Sequence, residues 1–147
     1  VMFTTHNVAQ AKKLSNRVIS LFAGKMIPST FENIYNGKIV ENEEGKKYCE
    51  INEDIRLPVD TDKTGNVRLS INPLHIRLLR GPDIRFEKNI FKGRIIQLTE
   101  EPGGVRATID AGIQVHAFLP RHQMQEKPIH IGDDAGIQLP DEAVLIF

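Results

Sequence analysis

The fold of this chain is decided by one stretch, Asn89-Ile90-Phe91-Lys92-Gly93-Arg94-Ile95-Ile96-Gln97-Leu98-Thr99. Its apolar residues recur close to a period of two, which is the spacing of a half-buried strand. Gly93 predicts a bend in that strand. Shortly after it, Glu101-Pro102-Gly103-Gly104 can reverse the chain, because proline fixes φ and glycine accepts positive φ. The pattern therefore predicts a β-hairpin.

Further short strands are predicted up to residue 147. Residues 105–110 and 113–119 alternate apolar and polar side chains, and Pro120 suits the first position of a short helix over residues 120–127. Two last strands are expected around residues 137–139 and 143–147. Because so many short strands must hide their edges, we expect residues 89–147 to close into one antiparallel barrel of the OB type.

The middle of the chain carries a second set of strand patterns. Strands are predicted near residues 37–40, 48–51 and 55–59, and residues 67–78 predict two more that meet at the corner Asn72-Pro73. The charged segment 41–47 is typical of a solvated hairpin tip. A single helical turn is expected after Pro28, over residues 29–35, and the domain boundary is placed there.

The first residues predict a different arrangement. Residues 1–6 resemble a buried strand, Asn7 can cap a helix over residues 8–16, and residues 17–22 form a second apolar run. A β-α-β unit with a parallel strand pair is implied, although it is too small to enclose a core. The predicted fold class is therefore mainly β, with OB-like small barrels and a short N-terminal β-α-β remnant. The predicted domains are residues 1–35, 36–88 and 89–147.

Composition excludes several function classes. Among 147 residues, 19 Lys and Arg balance 19 Asp and Glu, so no net charge attracts the chain to nucleic acid. Only 6% of the residues are aromatic, which leaves few stacking platforms for single strands. The single cysteine, Cys49, is expected to pack in the core. No apolar run is long enough to span a bilayer and no signal peptide is recognisable, so a cytoplasmic location is expected.

Residues near the N-terminus resemble the end of the ATP-binding subunit of ABC transporters. The resemblance rests on Thr4-Thr5-His6-Asn7, Gln10-Ala11, Leu14, Arg17-Val18 and Gly24-Lys25. It implies that His6 matches the switch histidine of the family and that a parent subunit would bind ATP and Mg²⁺. The phosphate-binding glycine loop and the catalytic carboxylate have no counterpart in this sequence, so we do not expect this chain to be an enzyme.

The remaining chain resembles the regulatory region of molybdate/tungstate-type ABC importers, including their TOBE-type module. Residues 67–78 resemble the accessory β-domain. Matches to the binding module lie at Asn89, Lys92-Gly93-Arg94, Gly104-Val105, Asp110-Ala111-Gly112, Gly132-Asp133 and Ala143-Val144. The resemblance implies a homodimer formed through the C-terminal β-module and a parent that binds membrane permease subunits at the inner face of the membrane. The alternative is a stand-alone protein that binds or stores an oxyanion.

The resemblance also points to oxyanion-binding residues. Lys88 and Asn89 match the run that enters the first strand, and Arg121 is a further cationic candidate. Pro120 stands where the family has a hydroxyl, and Pro140-Asp141-Glu142 replaces a Lys-Ala-Ser/Thr run. The charge of Glu142 would oppose an anion by about 1–4 kcal/mol. Molybdate or tungstate is therefore a possible ligand at a site that departs from the family pattern.

No metal site is predicted. Three histidines lie in the C-terminal part of the chain, but no two of them have a spacing typical of zinc ligands, and His116 alternates to the opposite face from its neighbours. These histidines are His116, His122 and His130.

Overall fold

The computed structural model describes residues 2–5, 10–11, 14–15, 19–22, 24–27, 32–81 and 90–147. The chain divides into two compact units, residues 1–31 and residues 32–147. The division at residues 35/36 and 88/89 stays a prediction. The mainly β fold class is confirmed, since the second unit consists of two antiparallel sheets of five strands each.

The first unit differs from the predicted β-α-β arrangement. Its strands β1 (Ser20–Phe22) and β2 (Lys25–Ile27) pair antiparallel. Residues 2–5 belong to no strand, and Met2 is 95% exposed. Residues 10, 11 and 14 are helical, as expected. The parallel pair is therefore not formed by the described residues, because these short segments offer too little apolar surface to bury one.

The first sheet of the second unit is built mostly from the middle of the chain. Its strands β3 to β6 are Ile34–Glu41, Lys47–Glu50, Arg56–Pro58 and Gly65–Ile71. The expected helical turn over residues 29–35 is wrong at its described end, because Ile34 and Tyr35 already belong to β3. Their backbone pairs with Ser70 and Leu69 of β6, so the strand ladder replaces local helical bonds.

The second sheet is built mostly from the C-terminal segment. Its strands are Arg77–Leu79 (β7), Ile90–Glu101 (β8), Gly104–Asp110 (β9), Gln114–Pro120 (β10) and Asp134–Gln138 (β11). A short helix, α1, spans Arg121–Glu126, and a 3-10 turn spans Asp141–Ala143 before the last strand, β12 (Val144–Ile146). The predicted hairpins and the short helix are thus present.

The two sheets exchange their last strands. β7 follows the first sheet in sequence but pairs with β11 of the second, while β12 follows the second sheet but pairs with β6 of the first. The expectation that residues 89–147 form a closed barrel from their own strands alone is therefore wrong. Strand β6 pairs with β3 on one edge, and its other edge would be open without β12. Strand β12 can reach that edge because the two sheets share one core.

The chain also contains an internal repeat. The sequence Asn33-Ile-Tyr-Asn-Gly-Lys-Ile39 recurs as Asn89-Ile-Phe-Lys-Gly-Arg-Ile95. The strand registers agree at the end of the motif: Ile39 pairs with Cys49 and Cys49 with Leu57, just as Ile95 pairs with Ile109 and Ile109 with Val115. Beyond Ile95 the β8–β9 ladder has a bulge that β3–β4 lacks. We call the halves repeat 1 (β3–β7) and repeat 2 (β8–β12). This duplication was missed in the sequence reading, although the two seven-residue motifs could have revealed it.

One hydrophobic core joins the two repeats. It includes Leu57, Leu69 and Ile71 of repeat 1 and Ile109 and Ile137 of repeat 2, all at most 1% exposed. Cys49 is completely buried in this core, in agreement with its expected packing role, and burial raises the pKa of its thiol. The two repeats are consequently packed as one body within the unit 32–147.

Candidate functional site

A groove with mixed polar and apolar walls lies where exchanged strand β7 meets repeat 2. We call it the β7 groove. It has a volume of about 460 Å³ and is lined by Leu74, His75, Ile76, Arg77, Leu78, Leu79, Phe118, Pro120, Gln123, Pro140 and Glu142. These residues come from the corner before β7, the end of β10, helix α1 and the corner before β12. The groove therefore depends on the strand exchange.

Two proline corners shape the groove. At the first, the Asn72 side chain accepts the N–H of Leu74 at 3.0 Å, which is an Asx turn. The N–H of Phe118 donates to the carbonyl of Pro73 at 3.0 Å, so this corner is attached to β10. The N–H of Asn72 also donates to the carbonyl of Ala143 at 2.8 Å. Backbone bonds thus hold both corners and β10 together around the groove.

The side chains of the groove offer hydrogen-bond donors and one opposing charge. Arg77 and Gln123 are exposed, and so are His75 and Glu142. The His75 Nδ1 lies 3.4 Å from the carbonyl oxygen of Glu142, on the opposite wall. A guanidinium can present two parallel N–H groups to an oxyanion, and an amide adds another donor. The arrangement can therefore hold a small anion against Arg77, although the Glu142 carboxylate opposes it.

The structure brings together part of the predicted site. Pro120, Pro140 and Glu142, which match family ligand positions far apart in sequence, line the same groove. Arg121 follows Pro120 directly; its N–H donates to the carbonyl of Gly103 at 3.0 Å and its side chain is exposed. Arg121 as an anion ligand stays a prediction.

Other predicted site residues lie outside the described residues. These are His6, Lys88 and Asn89. The sequence reading missed His75, Arg77 and Gln123, because they reach the groove only through the strand exchange and the packing of α1. The internal repeat was the signal that could have located them, since it would have paired the two proline corners.

A second polar cluster lies at the seam between the repeats. The Arg106 guanidinium on β9 forms ion pairs with Glu32, which precedes β3, and with Glu101 at the end of β8. Their side chains are only 13–25% exposed. Burial alone would lower the pKa of Arg106, but the hydrogen bond and charge of Glu101, together with Glu32, raise it. Two carboxylates against one guanidinium make this seam unsuited to an added anion.

Asn33 also joins the two repeats by hydrogen bonds. Its amide donates to the carbonyl of His116 at 2.8 Å and its oxygen accepts the His116 N–H at 2.7 Å. The Tyr35 hydroxyl donates to the carbonyl of Gln114, and burial raises the pKa of this phenol. Repeat 1 thereby covers the outer edge of β10, which leaves those backbone groups satisfied.

The described residues contain no group of three or more side chains that could hold a metal ion. His122 and His130 are exposed, and the His116 ring lies 3.1 Å from the Thr108 hydroxyl.

Among the described residues, no helix is both long enough and apolar enough to cross a membrane.

Comparison with known proteins identifies the fold. Neither a protein-family model nor a curated protein matches the sequence. A solved structure does match: the cytoplasmic molybdate-binding protein ModG, with molybdate bound. The TM-score is 0.63 at 10% sequence identity, and the match covers 78% of this chain and 94% of that chain. This likeness shows that the chain shares the ModG fold.

Proposed function

We propose that this chain binds a tetrahedral oxyanion of the molybdate or tungstate class in the β7 groove, as a stand-alone binding or storage protein. The observation that carries the proposal is the fold match, because it spans 94% of a protein described as molybdate-binding. The chain would then act by reversible binding and not by catalysis.

The composition of the groove supports this choice of ligand. A tetrahedral dianion needs converging donors and a cation that is not neutralised nearby. The Arg77 guanidinium, the Gln123 amide and the His75 imidazole line one groove, and no hydrogen bond or ion pair engages the Arg77 side chain among the described residues. Glu142 lowers the affinity, so we expect binding weaker than a fully cationic site would give.

Calorimetric titration of the full chain with tungstate, molybdate and sulfate tests the proposal. We expect saturable heat with tungstate or molybdate. Replacing Glu142 by glutamine should tighten binding by about 5- to 1,000-fold, because it removes a charge that repels the ligand. The matched control is Glu53→Gln, which removes an exposed carboxylate outside the groove. Absence of saturable heat in both the wild-type chain and the Glu142→Gln variant would refute oxyanion binding.

A homodimer through the C-terminal β-module belongs to the same proposal. The outer edge of β10 is already covered by Asn33 and Tyr35, so pairing would have to use another surface. Light scattering during the titration measures the mass with and without ligand. A monomer at high concentration under both conditions would contradict the dimer.

The second candidate is the regulatory C-terminal region of an ABC importer subunit. The favouring observation is that residues 1–31, the segment that carries the resemblance to the ATPase, form a compact unit of their own. Sequencing the gene upstream of residue 1 tests this candidate. A glycine-rich phosphate loop followed by an acidic strand end would support it, and a coding region without them would contradict it.

A further inference from the structure

We propose that only one of two grooves at related positions in the two repeats takes an oxyanion, because Arg77 lines the β7 groove and Leu145 holds the same strand position in the other groove. The inference rests on the proposed function and adds a stoichiometry of one anion per chain.

The strand exchange creates the second groove. Arg77 of β7 pairs with Gln138, and Leu145 of β12 pairs with Ser70. Ser70 and Gln138 are themselves equivalent, because they pair with Ile34 and Ile90 at the same place in the two seven-residue motifs. Arg77 and Leu145 therefore occupy the same position in repeats 1 and 2.

Size does not distinguish the two grooves. The second, which we call the β12 groove, has a volume of about 670 Å³. Its lining residues are Gly45, Lys46, Lys47, Tyr48, Pro58, Val59, Asp60, Thr61, Asp141, Val144, Leu145 and Ile146. An ion that fits the β7 groove therefore also has room in the β12 groove.

Charge does distinguish them. The exposed position held by Arg77 is held in the β12 groove by Leu145, which is 50% exposed. The lining of the β7 groove carries one carboxylate, Glu142, whereas the lining of the β12 groove carries two, Asp60 and Asp141. The β12 groove therefore has no guanidinium and one carboxylate more than the β7 groove, and both differences disfavour an oxyanion.

Both lysines of the β12 groove already have hydrogen-bond or ion-pair partners. The Lys47 ammonium donates to the carbonyl of Thr61 at 2.9 Å, and the Lys46 ammonium pairs with Glu44 at 2.9 Å. An anion in this groove would have to draw these ammonium groups away from those partners while facing Asp60 and Asp141. Binding at the β7 groove alone follows.

The test is the stoichiometry of tungstate binding by calorimetry in four forms of the full chain. The wild-type chain should bind one ion. Arg77→Leu should weaken binding about 10- to 100-fold, because a charge-assisted hydrogen-bond donor is lost. Asp60→Asn/Asp141→Asn/Leu145→Arg should bind two ions, whereas its matched control, Asp60→Asn/Asp141→Asn, should still bind one. All four positions are exposed, so thermal unfolding should change little.

Each result decides the inference. Two ions in the wild-type chain, undiminished binding by Arg77→Leu, or no added ion in the triple variant would overturn it. If the wild-type chain bound no ion, the proposed function and the stoichiometry that rests on it would both fail. If it bound ions but Arg77→Leu bound them equally well, the proposed function would stand and the inference alone would fail.

Discussion

Two glycines hold the same position in the two repeats, and both are needed for close packing. A Cβ at Gly37 would lie 2.4 Å from the Sγ of Cys49, and a Cβ at Gly93 would lie 2.6 Å from the Cγ2 of Ile109. Cys49 and Ile109 are themselves equivalent by strand register. At each glycine, the space that a Cβ would need is taken by a buried side chain of the neighbouring strand.

We expect Gly93→Ala to lower the free energy of unfolding by about 1–3 kcal/mol, because the new methyl group would overlap a buried side chain. Urea denaturation measures the change. Gln97→Ala, at an exposed position on the same strand, is the control and should change stability by about 0.5 kcal/mol or less. Equal stability of Gly93→Ala and wild type would show that the core relaxes at no cost.

His116 makes stability depend on pH. Burial lowers the pKa of its imidazole, the charge of Arg106 lowers it further, and the charge of Glu32 partly opposes this. The unfolded chain therefore binds a proton at a higher pH than the folded chain does. By linkage, the free energy of unfolding should fall as the pH drops through the ordinary histidine pKa near 6.5.

Urea midpoints between pH 7.5 and pH 5 measure this dependence. His116→Gln should flatten the curve in that window, because its side chain does not titrate. His122→Gln is the matched control, since His122 is exposed, and it should leave the curve as in the wild type. A wild-type curve that rises on acidification would contradict the assignment.

At the scale of elements, strand exchange ties the repeats together. β12 covers the edge of β6 through Val144, Leu145 and Ile146. We expect deletion of residues 144–147 to abolish cooperative unfolding, because it uncovers a strand edge and part of the core in repeat 1. Near-ultraviolet circular dichroism during a urea titration measures this. Deletion of residues 1–4, which lie in the other unit, is the control and should preserve the transition.

At the scale of the whole molecule, residues 32–147 should behave as one cooperative body. The two repeats share a single core, and each sheet contains one strand from the other repeat. Neither repeat can therefore unfold without exposing the core of its partner. We expect a chain of residues 32–147 to show one calorimetric transition, with equal calorimetric and van't Hoff enthalpies. Two resolved transitions would show that the repeats are independent.

Local patterns in the sequence predicted most of the strands and turns of residues 90–120. Alternating side chains predicted β8, β9 and β10, and the glycine and proline turns predicted the hairpins, because strand and turn preferences act over a few neighbouring residues. The same patterns failed at residues 2–5, which are apolar enough for a strand but belong to none. A strand needs a partner, and residue order does not supply one.

The sequence by itself determined a mainly β chain with its turns, its zero formal net charge and the Asn72-Pro73 corner. Only the tertiary structure decided which strand completes which sheet, and hence that Arg77 meets Pro120, Gln123 and Glu142 in one groove. The physical reason is that pairing partners are chosen by edges and core surfaces that exist only after both repeats have folded together, whereas periodicity and turn chemistry are present in the chain before it folds.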